Sequence, residues 1–288
     1  MTKVLFIINQ FFKGGAESAL LNLLKSLHPE NYEIDLIIYD QIRLKDTVTL
    51  IDEIPDWVNV FNAAEEENRI AFVKKAVHKL WRKVSGGGQL YRRCVYQFVQ
   101  SRHYDTAISF GEWFSCSLVA KYVHARRKYV WVHADMDKAS FLYPDLLTLW
   151  QCFDRYLFVS GQSYRAAAER YPFLKDRGLV LHNVVDVETI LRDSQAACQM
   201  PALSEKLPIL VTVANIRPEK NHPRQIQVMQ ELFRRGLRFY WLNVGNLANI
   251  EQTRKVRRMI AQAGLEDYFL LTGARENPYP IILHPPAV

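Results

Sequence analysis

The sequence predicts an α/β fold, with a mainly parallel sheet covered by helices on both faces and a second, incomplete unit of the same kind after it. Three observations predict it. Near-continuous apolar runs of strand length recur along the chain, amphipathic helical patterns lie between most of them, and the alternation restarts after a polar stretch near residue 200. A strand buried on both faces loses the apolar–polar alternation of a half-exposed one, so such runs point to parallel strands between two helical layers.

The first run, 4–9, is followed by a glycine-bearing loop and then by the helical pattern Ala19, Leu20, Leu23, Leu24, Leu27. Strand, loop, helix is the opening of a nucleotide-binding α/β unit. A second run at 34–39 completes strand–helix–strand, and further strands are expected at 57–61, 106–110, 129–133, 156–160 and 179–182. Apolar density then falls after Asn183-Val184-Val185-Asp186, through a polar stretch that ends at Ser204-Glu205-Lys206-Leu207-Pro208. This stretch reads as a linker, which divides the chain into a domain over 1–186, a linker over 187–206 and a partial domain over 207–288.

In the second unit the expected order is strand 209–214, helix 223–235, strand 239–244, helix 250–263 and strand 268–271. Gly236 and Gly264 stand where a helix C-terminus favours glycine. Three strands and two helices make half of a doubly wound domain. The last segment, 281–288, is bracketed by Pro280, Pro285 and Pro286, which rules out a regular helix of useful length. The second unit is therefore expected to be incomplete, and the tail reads as prematurely ended.

A chain of 288 residues that is 49% hydrophobic and 23% charged has the composition of a folded globular protein and not of a disordered or repetitive one. Its four cysteines are scattered singly at Cys94, Cys116, Cys152 and Cys198, which excludes a disulfide framework and a structural zinc site as expectations. The N-terminal apolar run is too short for a secretory signal, and no stretch of about 18 apolar residues suggests a membrane span. The chain reads as cytoplasmic, with membrane contact only from the surface.

The net charge of +7 is unevenly placed. Between Asn68 and Tyr104 there is no Asp or Glu, while nine cations (Arg69, Lys74, Lys75, Lys79, Arg82, Lys83, Arg92, Arg93 and Arg102) alternate with aromatic and aliphatic residues such as Trp81 and Tyr91. The other residues carry 28 Lys and Arg against 30 Asp and Glu, a net −2. Three readings of this segment are open. Two basic amphipathic helices can lie on an anionic membrane, where each Lys or Arg is worth up to ~1 kcal/mol. They can equally be ordinary surface helices with core faces. Nucleic acid is the third reading, without any of the usual binding signatures to accompany it.

Three loops at strand ends carry candidate chemistry. Gly14 and Gly15, between the first strand and first helix, either let backbone N–H groups approach a phosphate at a helix N-terminus or serve a tight turn needing positive φ. His133, at the end of the strand 129–133, either bonds a sugar hydroxyl or phosphate or is a satisfied strand-end histidine. Asp135 is an acid–base candidate, though a helix cap is the simpler reading. Arg217 and Lys220 follow the first strand of the second unit, where they can grip a diphosphate or merely be solvated.

Taken in order, Gly14-Gly15-Ala16-Glu17, Ser109-Phe110-Gly111, Trp131-Val132-His133-Ala134-Asp135, Phe158-Val159-Ser160, His182-Asn183-Val184-Val185-Asp186, Pro218-Glu219-Lys220-Asn221-His222 and Gly273–Pro280 resemble the motifs of GT-B glycosyltransferases of family 4. The resemblance implies two Rossmann-like domains facing a cleft, acceptor on the first and nucleotide-sugar donor on the second. It implies donor-diphosphate contacts at Gly14, Gly15, Lys220 and Arg217, a catalytic His133, acceptor or sugar contacts at Glu17 and Asp135, and retention of configuration without a metal or other cofactor. A lipid-linked or polysaccharide acceptor, an anionic membrane surface touched by Lys74, Lys75, Lys79, Trp81, Arg82, Lys83, Arg92 and Arg93, and no nucleic-acid partner complete the expectation. Two departures stand against it: Asn215 occupies the place of a common phosphate-binding Arg, and the two-glutamate donor motif is absent. An inactive fragment or binding module of the family is the alternative.

Overall fold

The computed structural model describes residues 1–41, 48–65, 88–113, 115–136, 149–197, 203, 207–247 and 249–283. They divide into two compact units, Met1–Val185 and Asp186–Val288.

The first unit is built on seven strands: β1 Thr2–Ile8, β2 Tyr32–Ile38, β3 Asn59–Asn62, β4 His103–Ser109, β5 His124–Val132, β6 Arg155–Phe158 and β7 Gly178–Val180. All pair in parallel, in the order β3-β2-β1-β4-β5-β6-β7. Its helices are α1 Gly15–Ser26, α2 Gly88–Val99, α3 Ser115–Tyr122, α4 Gly161–Arg170 and the single turn α5 Leu174–Arg177.

The apolar run of β1 is continuous because both of its faces are buried. Val4, Phe6 and Ile8 share a core with Leu20 and Leu24 of α1. Leu5 and Ile7 share the opposite core with Val95 and Val99 of α2 and with Leu118 and Val119 of α3. Each such side chain taken out of water contributes about 1.5–3 kcal/mol, so neither face can be turned outward. Three expected strands of this unit, β3, β6 and β7, are each one residue shorter. The turn in which Val58 N–H donates to Pro55 O keeps Trp57 outside β3. At the sheet edge β7 ends at Val180, whose neighbour Leu179 is 49% exposed.

In the second unit β8 Ile209–Val213, β9 Tyr240–Val244 and β10 Phe269–Gly273 form a parallel sheet in the order β10-β9-β8. Its helices are α6 Val187–Ser194, α7 His222–Arg234, α8 Ile250–Gln262 and α9 Tyr279–Leu283. Ile226 and Met229 of α7 join Val256 and Ile260 of α8 on one face of the sheet, while Leu242, Val244 and Ile281 close the other. Gly236 and Gly264 adopt positive φ, at 88° and 64°. In each case the next N–H reaches back across the helix end, Leu237 to Leu232 O and Leu265 to Ile260 O, both at 3.1 Å. These are the Schellman closures that the two glycines predicted.

The segment read as a linker begins with α6, capped by Asp186 Oδ1 accepting from Thr189 N–H at 2.9 Å. Its low apolar density reflects a largely exposed helix, with Val187 and Leu191 both more than half exposed. At the chain's end, Pro280 falls in the first turn of α9, where its missing N–H has no intrahelical partner to lose. One helical turn forms there in spite of the prolines.

Candidate functional site

The strand order of the first unit reverses at β1: the chain runs outward through β2 and β3, then returns to the other side of β1 as β4. Open α/β sheets bind ligands at this switch, outside the carboxyl ends of the strands. Three loops meet the criterion here, those after β1, β4 and β5.

The loop after β1 is fixed from one side. Lys13 N–H donates to Val48 O at 2.8 Å, Leu50 N–H donates to Phe11 O at 2.9 Å, and Gln41 Nε2 donates to Thr49 Oγ1 at 2.8 Å. Gly14 is the N-cap of α1 at φ −152°, and Gly15 lies outside the positive-φ residues. The tight-turn explanation for these glycines therefore fails. A Cβ at Gly14 would collide with the Glu17 carboxylate, whereas one at Gly15 would meet nothing within 4 Å. Glu17 thus folds back over the helix N-terminus, and open space lies before Gly15, where first-turn N–H groups lack intrahelical acceptors.

The loop after β4 holds a residue that local patterns do not single out. Glu112 is fully buried. One of its carboxylate oxygens accepts the His133 N–H at 3.0 Å, and the other accepts the Ala134 N–H at 2.8 Å. Burial pushes its carboxyl above the ordinary range, against the lowering effect of those backbone donors. Gly111 makes the turn possible at φ +142°, and any Cβ there would strike the Trp113 ring. Beneath the turn, Ser109 Oγ bonds Gly111 O at 2.8 Å and Ser115 Oγ at 2.7 Å. An acidic residue directly after an apolar strand and a glycine was the only sequence signal for Glu112.

The loop after β5 presents His133. Its ring lies 4.8 Å from Phe110 and stacks nearly parallel to Trp113 and Trp131, each at 6.3 Å. Nε2 is buried and has no hydrogen-bond partner among the described residues. Burial pushes the imidazole down to about 4, so the ring is neutral near pH 7. Among the described residues nothing satisfies this nitrogen, unlike in the simpler strand-end reading. Asp135 sits in the same loop, and the residues after Met136 that it would cap lie outside the described ones.

Arg217 and Lys220 occupy the carboxyl edge of the second unit's own sheet. Both are exposed. Arg217 leads into the 3-10 turn Pro218–Lys220, with its guanidinium 4.0 Å from Glu219. Asn215, in the place of the resembled family's Arg, accepts the Asn246 N–H at 2.8 Å. Arg275, in the loop after β10, has a buried Nε without a partner among the described residues, and no local sequence pattern marks it. Among the described residues no group of three or more His, Cys, Asp or Glu side chains is placed to hold a metal ion.

Of the basic segment, Lys74, Lys75, Lys79, Trp81, Arg82 and Lys83 lie outside the described residues, as does the Arg92 side chain. Arg93 is exposed on α2. The apolar face of α2 is used internally, since Val95 and Val99 are core residues and Phe98 packs on Phe61 at 4.4 Å. Arg102 pairs with Asp35 at 3.4 Å and lies over the Phe98 ring. No helix among the described residues is long and apolar enough to cross a membrane.

No family model matches the sequence, and no curated protein is similar enough to match it. Solved structures do match in fold. HepE of Anabaena, determined with UDP and glucose, is 14% identical, with a TM-score of 0.64 over 98% of this chain and 72% of its own. TarM of S. aureus, determined with fondaparinux, α-GlcNAc-glycerol and UDP, is 11% identical, with a TM-score of 0.64 over 96% and 78% of the two chains. Sucrose-phosphate synthase of Thermosynechococcus elongatus is 12% identical, with a TM-score of 0.60 over 97% and 72%. With its parallel sheets and the order of its elements, the chain has the GT-B fold of these glycosyltransferases.

Proposed function

We propose that this chain transfers a sugar from a nucleotide-sugar donor to an acceptor glycan or lipid-linked acceptor, with retention, in the synthesis of a cell-surface polysaccharide or glycolipid. The observation that carries the reading is His133. A neutral imidazole, its buried Nε2 unpartnered among the described residues, stands at the carboxyl edge of the sheet, beside the switch point. A neutral ring suits hydrogen bonding to a sugar hydroxyl and avoids fixing a cation where the sugar develops positive charge. The open space before Gly15 supports a diphosphate contact at the N-terminus of α1. Lys220 and Arg217, at the carboxyl edge of the second unit's sheet, are proposed as donor-diphosphate contacts, and Glu17 and Asp135 as acceptor or sugar contacts.

In this reading the leaving diphosphate helps take the acceptor proton on the same face, and the protein supplies stabilisation of the leaving group. HepE and TarM were solved with UDP, which makes UDP the first nucleotide to test. Saturation-transfer NMR with UDP and UDP-glucose, followed by UDP release with glycan acceptors, tests the proposal. Binding with Kd below about 1 mM that His133→Ala and Lys220→Ala weaken supports it. Absence of binding by UDP- and GDP-linked sugars alike overturns it.

The second reading is a nucleotide-sugar-binding module without turnover. It is motivated by β8, an edge strand of the second sheet among the described residues, with Leu210 and Val213 nearly half exposed. Binding without any nucleotide release would select it. A peripheral position on the inner face of the membrane is proposed from the cationic segment 68–104. Replacing Lys74, Lys75, Lys79, Arg82 and Lys83 by Gln should abolish sedimentation with anionic vesicles, and unchanged sedimentation removes the membrane claim.

A further inference from the structure

A fully buried carboxylate normally has a cation, a metal or a ligand to offset its desolvation. Glu112 has no ion pair among the described residues. Its two oxygens instead take two consecutive backbone N–H groups, those of His133 and Ala134. The arrangement lies 21 residues from Glu112 in sequence and bridges adjacent strands, since β4 and β5 pair in register up to Ser109–Val130. A carboxylate at this place is a costly way to finish a turn. A buried side chain with one acceptor, or a water, would satisfy a single N–H at less desolvation. What the two-oxygen grip adds is orientation: it fixes the peptide planes on both sides of the His133 Cα, and so the direction in which the ring leaves the backbone.

The surroundings of the ring support this. Phe110 lies tilted against the imidazole and the Trp113 and Trp131 indoles lie nearly parallel to it, and none of the three gives its nitrogens a hydrogen bond. Stacking limits tilt and leaves the ring free to slide. The backbone grip adds to that restraint a fixed Cα–Cβ direction from which the ring starts. Among the described residues, the titratable groups facing Glu112 are His133 and the Cys116 thiol of α3, which burial pushes up to about 12 and keeps neutral.

We infer that Glu112 is a positioning residue: through the His133 and Ala134 amides it presents His133 Nε2 to the bound sugar. The inference rests on the transferase reading for what Nε2 touches, and on this structure alone for how His133 is held. Glu112→Gln is the diagnostic change, because a carboxamide has one acceptor oxygen and turns a donor toward the second N–H.

Two measurements test the inference. In the wild-type protein labelled with 15N, the His133 and Ala134 amides, assigned with His133→Gln and Ala134→Gly, should lie downfield. They should shift together in one transition as falling pH neutralises the carboxylate. Absence of a shared transition overturns the proposal, and this arm needs no Glu112 variant to fold. In Glu112→Gln, kcat should fall by roughly 10–100-fold with KM for the nucleotide sugar within about twofold. An unchanged kcat, or a rise in KM alone, also overturns it. If the wild-type chain turns over no nucleotide sugar, it is the transferase reading that fails, and the amide titration decides the Glu112–His133 relation by itself.

Discussion

The carboxamide oxygen of Asn215 accepts the Asn246 N–H at 2.8 Å, and this bond ties the loop after β8 to the loop after β9. A guanidinium at this position cannot accept a hydrogen bond. Asn215→Arg, which restores the residue common in the resembled family, is therefore expected to destabilise the second unit by about 1–2 kcal/mol, as is Asn215→Ala. Urea unfolding followed by the fluorescence of Trp241 checks this. An Asn215→Arg protein as stable as wild type would show that the tie is dispensable.

Gly111 combines a φ of +142° with a neighbouring Trp113 ring that occupies the place of any Cβ. Gly111→Ala adds backbone strain of ~1–3 kcal/mol to a displaced indole, so a loss of at least about 2 kcal/mol is expected. Thermal unfolding measures the loss. Near-ultraviolet circular dichroism should change as well, because Trp113 leaves its stack on His133.

The pH dependence of stability should separate two buried groups with opposite signs. The His133 pKa falls from 6.5 unfolded to about 4 folded. Its contribution is therefore fully present above pH 6.5 and is lost as pH falls toward 4. Glu112 is shifted upward, so its contribution declines as pH rises from the ordinary carboxylate range through its folded pKa. Glu112 remains in His133→Gln, so comparison with wild type isolates the histidine. The stability difference should grow by roughly 2 kcal/mol between pH 4 and 6.5, then level off. Urea titrations at four pH values across that range suffice, and a flat difference would show that the imidazole is not held neutral.

Asp35 joins three strands of the first sheet: it accepts from Tyr104 OH at 2.5 Å and from Asn59 Nδ2 at 2.6 Å, and pairs with Arg102. Tyr104→Phe removes one donor of three and should cost about 1 kcal/mol. Asp35→Ala removes the common acceptor and strands the partly buried phenol, for which about 2–3 kcal/mol is expected. Chemical denaturation of the two variants side by side tests the ranking.

The outcome for individual residues shows where legibility ends. His133 was found because it follows an apolar strand, and Gly14 and Gly15 because they precede a helix. Why the glycines are there was not legible: positive φ was one candidate, and the structure shows open space before Gly15 and the Glu17 carboxylate over Gly14 instead. The α6 helix was hidden because a mostly exposed short helix carries few apolar residues. Arg275 was quoted within a motif without being singled out, since only packing buries its Nε.

The sequence by itself determined the alternation of strand and helix, the restart in a second unit and the glycine-closed ends of α7 and α8. These follow from period, burial on two faces and backbone sterics, all of which act over a few neighbouring residues. Only the tertiary structure decided that Glu112 would meet His133 and Ala134, that the imidazole would be neutral, and that Asn215 would hold Asn246. Those relations depend on which strands lie side by side and on how far water is excluded between their loops. Strand order sets both, and no local pattern in the chain encodes it.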